Sequence, residues 1–398
     1  MRKKKARTKI AGIPAWAGGA TAAIAVLLSL GMAEIFCRVF YQQITTPSGR
    51  WAVAIASARS FLRYDDVDPR IGNPRFWPHP YLLYQAAPNY RNEAGVQHNS
   101  MGYRDKEFNP EKQKGTVRIL ALGGSTTYGA GVGRPEWTWP SHLQALLDQD
   151  YGAGKYEVIN GGLDSACSAE ILSGWVFRYR FLHPDIVVLH MGVNDIWPVL
   201  LTKDYNPEYV YFRRPAAINQ PAGFLRPAIA FSYLVKAYYA LSYRDQVETY
   251  PYVQARDADL YSSESSRGEV TKRVTETENT GFRRNLDELI KVIKLEGARV
   301  LVTTEPALPE SEIPRKASDN PSVRWILGLE HAWSVGLQKN SDTMQSVAQS
   351  NRVAFFRPNA KEFRYEWFDD WYHLNEAGEA GKARAIETGL KEAGLVSK

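Results

Sequence analysis

Cysteine is nearly absent from this chain of 398 residues, with one thiol at Cys37 and a second at Cys167. Two such distant thiols build neither a disulfide framework nor a zinc site, so stability must come from a buried core. A chain of this length, 44% hydrophobic and 23% charged, can supply one. A basic body is missing as well. The formal net charge is +6, yet Arg2, Lys3, Lys4, Lys5, Arg7 and Lys9 carry six positive charges with no acid among them. Setting those six aside leaves 43 basic residues against 43 acidic ones. A neutral body lacks the cationic face that nucleic-acid binding needs, so nucleic acid is not an expected partner. Internal repeats and low-complexity tracts are absent too, which removes solenoids and disordered tails.

Long apolar runs are also scarce, and the exception directly follows the basic tip. Ile10 to Ala33 holds no charged residue, and about 20 apolar residues cross a bilayer as a helix. Lys and Arg stay on the cytoplasmic side, so the expected orientation is N-terminus inside with the rest exported, periplasmic in a Gram-negative bacterium. Glu34 and Arg38 would then sit at the far interface. A cleaved signal peptide competes with this reading, because Gly31-Met-Ala33 offers small residues at a cleavage site. A buried helix of a soluble protein fits the Gly18-Gly19 pair and the basic flank poorly.

Residues 1–40 are thus expected to be a cytoplasmic tip and transmembrane anchor, and 41–115, rich in Pro, Tyr, Asn and Arg, a stem packing on the catalytic body. Within the stem, His98 to Arg104 reads as an ordinary turn around Gly102 with a buried arginine. From 116 to 398 short apolar runs alternate with helical stretches, the pattern of an α/β fold. Strands are expected at 117–122, 156–160, 185–190, 299–304 and 353–356. Helices are expected at 137–147, 169–182, 281–295 and 375–393, giving a three-layer α/β/α sandwich on a central parallel sheet. The stretch 198–280 interrupts this order with thirteen Tyr and Phe residues. Aromatic faces suit sugar rings, and they equally suit the packing of a small subdomain.

Three loops carry chemistry. The first strand runs into Gly123-Gly124-Ser125-Thr126-Thr127, placing a serine at the carboxyl end of a strand, where open parallel sheets hold their sites. No Gly-Lys-Ser/Thr follows, so a phosphate loop is excluded, and Gly129-Ala-Gly131-Val-Gly133 lacks the dinucleotide spacing. The third strand ends in Met191-Gly-Val-Asn194-Asp195, where an asparagine amide can donate to an oxyanion. Asp370 and His373, three apart before the last helix, can pair as carboxylate and imidazole, with Asp369 an alternative carboxylate. Each loop alone has a plain turn reading, but their joint order is specific.

With these residues the chain resembles the SGNH (GDSL-like) hydrolase family, over roughly 115 to 395 without the aromatic insertion. Ile119 to Gly129 is similar to its first block, with Gly-Gly-Ser for the commoner Gly-Asp-Ser. Val188 to Asp195 is similar to the third, and Asp370 to His373, with Asn375 and Gly378, to the last. The resemblance implies a flavodoxin-like fold and Ser125 as nucleophile, with His373 as base, Asp370 orienting it, and no cofactor or metal. It also implies an oxyanion hole of Ser125 N–H, Asn194 and a second-block backbone N–H. There the sequence departs, because Asn160-Gly-Gly-Leu-Asp-Ser165 sets Ser165 where the family has glycine. Ser165 is the donor by position, with Gly161 and Gly162 as alternatives. The expected activity is an acyl or acetyl esterase on exported or cell-surface carbohydrate. An O-acyltransferase on polysaccharide uses the same site, and a non-catalytic glycan-binding or assembly component is a third reading.

Overall fold

The computed structural model describes residues 15–45, 75–79, 81–92, 95–201, 205–209, 213–215, 232–235, 252–254, 264–320, 324 and 326–397. Contacts divide the chain into one unit of residues 1–72 and 220–248 and another of 73–219 and 249–398.

In the first unit, α1 (Ala15–Thr45) spans 31 residues, about 46 Å at 1.5 Å per residue. It is long and apolar enough over Ala22–Val39 to cross a membrane. Ile24, Leu27, Leu28 and Ile35 are exposed along it, which is not how a core helix packs. Glu34 pairs with Arg38 at 2.8 Å and also accepts from Ser232 Oγ (2.7 Å), Tyr233 N (2.9 Å) and Leu234 N (2.9 Å). The insertion expected over 198–280 is therefore divided, with 220–248 grouped with the N-terminal helix.

The second unit is built on five parallel strands, β3 (Val117–Gly123), β4 (Tyr156–Asn160), β5 (Ile186–His190), β8 (Arg299–Thr303) and β9 (Ala354–Phe356). Their order is β4-β3-β5-β8-β9, the flavodoxin-like arrangement, whose switch point lies between β3 and β5. Among the described residues two short antiparallel pairs are also present, β1 (Phe76–His79) with β2 (Leu83–Ala86) and β6 (Arg213–Pro215) with β7 (Tyr252–Gln254). β5 is buried throughout, because helices cover both faces of the sheet. On one face Ile119, Ala121, Val188 and Leu301 meet α3 (Trp139–Tyr151) and α10 (Glu376–Glu392). On the other, Leu120, Leu122, Leu189 and Val302 meet α4 (Ser168–Phe177), α7 (Thr280–Leu295) and α9 (Glu330–Ser350). α7 shows why these segments are helices. Asn279 caps it by accepting from Phe282 N, and Phe282, Leu286, Leu289, Ile290 and Ile293 form one buried stripe.

Several expectations shift. The unit carrying the sheet begins at 73 rather than 116. Arg118, fully buried, explains part of this by donating to the Asn109 and Pro110 carbonyls. The helix expected over 169–182 is broken at Arg178, whose φ of −142° ends α4, and a 3-10 turn over Tyr179–Leu182 follows. Helices α6 (Glu264–Glu276), α8 (Ile313–Asp319) and α9 lie where none was expected. Further helical segments among the described residues are the short α2 (Ser125–Tyr128) and α5 (Trp197–Leu201).

The stem turn holds a buried arginine. Gly102 has φ +73°, and a Cβ there would overlap the Ala86 carbonyl. Arg104 donates to Gly129 O at 2.7 Å and to Val132 O.

Candidate active site

β3 ends where two side chains have to be missing. A Cβ on Gly123 would overlap the His190 carbonyl, and one on Gly124 would overlap Asn194 Nδ2. The chain therefore slips past the end of β5 and turns at once into α2, whose first residue is Ser125. The first N–H groups of a helix have no partner inside it, so Ser125 presents a hydroxyl and an N–H from one position. Gly129, at φ +81°, closes the turn in the left-handed region.

Ser125 Oγ lies 2.8 Å from His373 Nε2, and His373 Nδ1 lies 2.6 Å from Asp370 Oδ2. The other Asp370 oxygen accepts from Tyr372 N (2.8 Å) and His373 N (2.7 Å), so the loop before α10 winds around this carboxylate. Asp369 meets His373 only through the main chain among its described hydrogen bonds, its N–H donating to His373 O at 2.8 Å. Burial would depress the imidazole pKa. The charge of Asp370 and its hydrogen bond outweigh burial, Asp164 and Glu305 add to them, and the net shift is upward from 6.5. Burial pushes the Asp370 carboxyl up, and His373 with two backbone N–H groups pulls it below its ordinary value.

Two of the three candidate second-block N–H groups tie the loop to the sheet. Gly161 N–H donates to Ala121 O at 2.8 Å and Gly162 N–H to Asn160 Oδ1 at 3.0 Å, so both are engaged in holding the loop to the sheet. Ser165 has φ +62°, the left-handed backbone that a glycine adopts at low cost. Asn194 Nδ2 gives one N–H to Ala166 O at 3.0 Å, and its Oδ1 accepts from Trp197 Nε1 at 3.3 Å. That fixes the amide plane while a second N–H remains.

A match to the GDSL-like Lipase/Acylhydrolase family covers residues 121–380, which includes Ser125, Ser165, Asn194, Asp370 and His373. The chain belongs to that family. It is an ester-hydrolysing enzyme with a parallel central sheet between helical layers. Similar solved structures include LAE5, an alpha/beta hydrolase enzyme from the metagenome of Lake Arreo, Spain. It is 14% identical, covers 71% of this chain and 97% of its own, and has a TM-score of 0.40. The acetyl xylan esterase AlAXEase is 16% identical over 69% of this chain and 100% of its own, with a TM-score of 0.39. TesA is 14% identical over 69% and 99%, with a TM-score of 0.38. No curated protein matches the chain.

This acylhydrolase also holds a buried charged network that its local patterns did not reveal. His190 Nδ1 lies 2.9 Å from Thr127 Oγ1, and its Nε2 lies 2.6 Å from Glu305 Oε2. Lys382 Nζ reaches Glu305 Oε1 at 3.4 Å, Glu379 Oε1 at 2.8 Å and the Thr126 carbonyl at 2.9 Å. Glu379 in turn accepts from Trp139 N at 2.7 Å. The turn bearing Ser125 thus rests on buried polar and charged groups contributed by β5, the loop after β8 and α10. One signal could have found them: Glu379 and Lys382 are three apart on the apolar face of α10, where unpaired charges do not belong.

A cavity of about 250 Å³ opens beside the carboxyl ends of β5 and β8, lined among others by Met191, Leu308, Trp333, Met344 and Arg357. Ser125, Asp370 and His373 do not line it, so it is not the space above the serine. Among the described residues no cluster of three or more His, Cys, Asp or Glu side chains is placed to hold a metal ion. Neither cysteine is in a disulfide, and Cys167 Sγ donates to Asn194 O at 3.2 Å. Two insertion tyrosines serve packing: Tyr209 is buried with its hydroxyl donating to Asp195, and Tyr205 donates to Asn279 Oδ1. Tyr211, Phe212, Phe224, Phe231, Tyr238, Tyr239, Tyr243, Tyr250 and Tyr261 lie outside the described residues.

Proposed function

We propose that this chain is a membrane-anchored, extracytoplasmic serine esterase that removes acyl or acetyl groups from exported or cell-surface carbohydrate. The observation that carries the catalytic part is the unbroken line Ser125 Oγ, His373 Nε2, His373 Nδ1, Asp370 Oδ2, with steps of 2.8 and 2.6 Å. His373 takes the Ser125 proton as Oγ bonds to the ester carbonyl carbon, and the carbonyl π electrons move to oxygen. Ser125 N–H, Ser165 N–H and Asn194 Nδ2 donate to that oxygen. As the carbonyl re-forms the ester C–O bond breaks and the imidazolium protonates the leaving alkoxide; water, deprotonated by His373, then attacks the acyl carbon, and the Oγ–C bond breaks as Ser125 takes the proton back and the acid leaves. The anchor reading is supported by the exposed apolar side chains of α1 and the six cationic residues before it. The carbohydrate reading draws on the aromatic content of 198–280.

The direct test treats the full chain in detergent with a fluorophosphonate and maps the adduct by mass spectrometry. Modification at Ser125 is expected, and an intact Ser125 would reject the mechanism. Turnover of an acetylated oligosaccharide is then followed with and without an unacetylated acceptor. Release of free acetate is expected in both; turnover that depends on the acceptor would make the enzyme a transferase.

The oxyanion donors carry a second prediction. Asn194→Ala removes one donor, which is worth roughly 100- to 1,000-fold in kcat. Gly124→Ala pushes its methyl into the same amide and is expected to lose a similar factor. The double variant should then fall well short of the product of the two losses, because both delete one interaction. Multiplying losses would show that Gly124 matters for another reason.

A further inference from the structure

Ser165 sits in the left-handed conformation that strains an L-residue, and it stands beside an acidic residue, Asp164. Something has to hold this turn. The Asp164 carbonyl and the Ser165 N–H belong to one planar peptide group, so fixing the oxygen fixes the direction of the N–H. Tyr84, fully buried on β2, donates its hydroxyl to that carbonyl at 2.5 Å. The same bond polarises the peptide and strengthens its N–H as a donor. The Asp164 side chain is held as well. One oxygen pairs with Arg75 Nη2 at 2.8 Å and the other accepts from Ser165 Oγ at 3.2 Å. Arg75 is itself positioned by donating to Tyr128 OH at 3.0 Å, with its guanidinium 4.6 Å from the centre of that ring. Arg75 and Tyr84 both lie before residue 121, where the family match begins.

Resting on the esterase reading, we propose that Tyr84 and Arg75 are positioning residues. Tyr84 aims the Ser165 N–H at the developing oxyanion, and Arg75 sets how strongly the Asp164 charge acts on His373. The hairpin ahead of the family domain thereby does what a glycine does elsewhere, making the oxyanion loop hold its shape.

The groups that face His373 come from several elements. Asp370, Asp369 and Tyr372 share its loop, Ser125 comes from α2, Asp164 from the loop after β4, and Glu305 from the loop after β8 with Lys382 of α10 behind it. Asp164 favours the imidazolium, and the Arg75 guanidinium, 2.8 Å from the Asp164 carboxylate, is expected to offset it. Two substitutions in one ion pair therefore act in opposite directions. Asp164→Asn is expected to lower the acidic limb of the kcat/KM pH profile, and Arg75→Gln to raise it, each by roughly half a pH unit, the scale of a screened charge several ångströms away. Arg75→Lys restores the charge and returns the limb toward wild type. Tyr84→Phe keeps the ring, and is expected to lower kcat by roughly 3- to 10-fold with KM and the limb unchanged.

The measurements use the full chain, with thermal melting recorded for each variant. Limbs that stay put or move in the same direction for Asp164→Asn and Arg75→Gln would overturn the role of Arg75. A Tyr84→Phe enzyme with wild-type kcat would overturn that of Tyr84. Ser125→Ala distinguishes the two levels. Wild-type turnover that survives in Ser125→Ala overturns the esterase mechanism and this inference with it, whereas Ser125-dependent turnover with unmoved profiles overturns this inference alone.

Discussion

Ser125→Ala and His373→Ala are each expected to lower kcat for an activated ester by about 10⁴- to 10⁶-fold, with the double variant no slower than the worse single one. Proton transfer and attack are one event, so either loss removes the same step. What remains comes from oxyanion donors and binding, which neither substitution touches. The outcome is read from kcat under saturating substrate; multiplicative losses would mean that the two side chains act in separate steps. The pH profile carries the sign. His373 must be neutral to accept the Ser125 proton, and its pKa is raised above 6.5, so kcat/KM rises with pH through a limb placed above that value. Asp370→Asn removes the largest influence opposing burial. Burial then prevails and the limb moves down, while kcat falls by about 10⁴-fold because the amide no longer holds Nδ1–H in the productive tautomer. A limb that moves up in Asp370→Asn would contradict the assignment of Asp370 as the partner.

How far the sequence reaches depends on the range of the contacts. The strands were legible because a sheet covered on both faces writes runs such as Ile186-Val-Val-Leu, buried at every position. α9 was not, since its core face includes Gly336, Asn340 and Thr343, which form no apolar stripe. Ser125, Asn194, Asp370 and His373 stood out because each lies in a short local pattern at a strand or helix end. Asp164 was passed over beside Ser165 because its partners are remote: Tyr84 is 80 residues away and Arg75 is 89. Ser165 is the instructive case. The letter departs from the family's glycine, and the backbone, at φ +62°, lies in the left-handed region that a glycine adopts at low cost.

Lys382→Met is expected to destabilise the second unit by about 3–5 kcal/mol, more than any surface substitution would. Lys382 is fully sequestered, and it is the cation that Glu305 and Glu379 share. Burial pushes the Glu305 carboxyl up; Lys382 is the largest influence pulling it down, with His190 next, and the net is below its ordinary value. Burial already prevails at Glu379, whose pKa is raised despite Lys382. Without the cation both carboxyls take up protons on folding at neutral pH. The folded state then binds more protons than the unfolded one, so the stability of the variant falls as pH rises and recovers as it drops toward the ordinary carboxylate range. Glu305→Gln and Glu379→Gln added to Lys382→Met remove the buried charges, and the triple variant should regain much of the loss. Denaturant unfolding of wild type, Lys382→Met and the triple variant at two pH values measures this, and a single variant within about 0.5 kcal/mol of wild type would refute the role given to the network. The catalytic consequence is separate. Lys382 also holds the carbonyl of Thr126, the residue after the nucleophile. The triple variant, though folded, should therefore turn over ester more slowly at unchanged KM, because the turn that presents Ser125 Oγ has lost its anchor in α10.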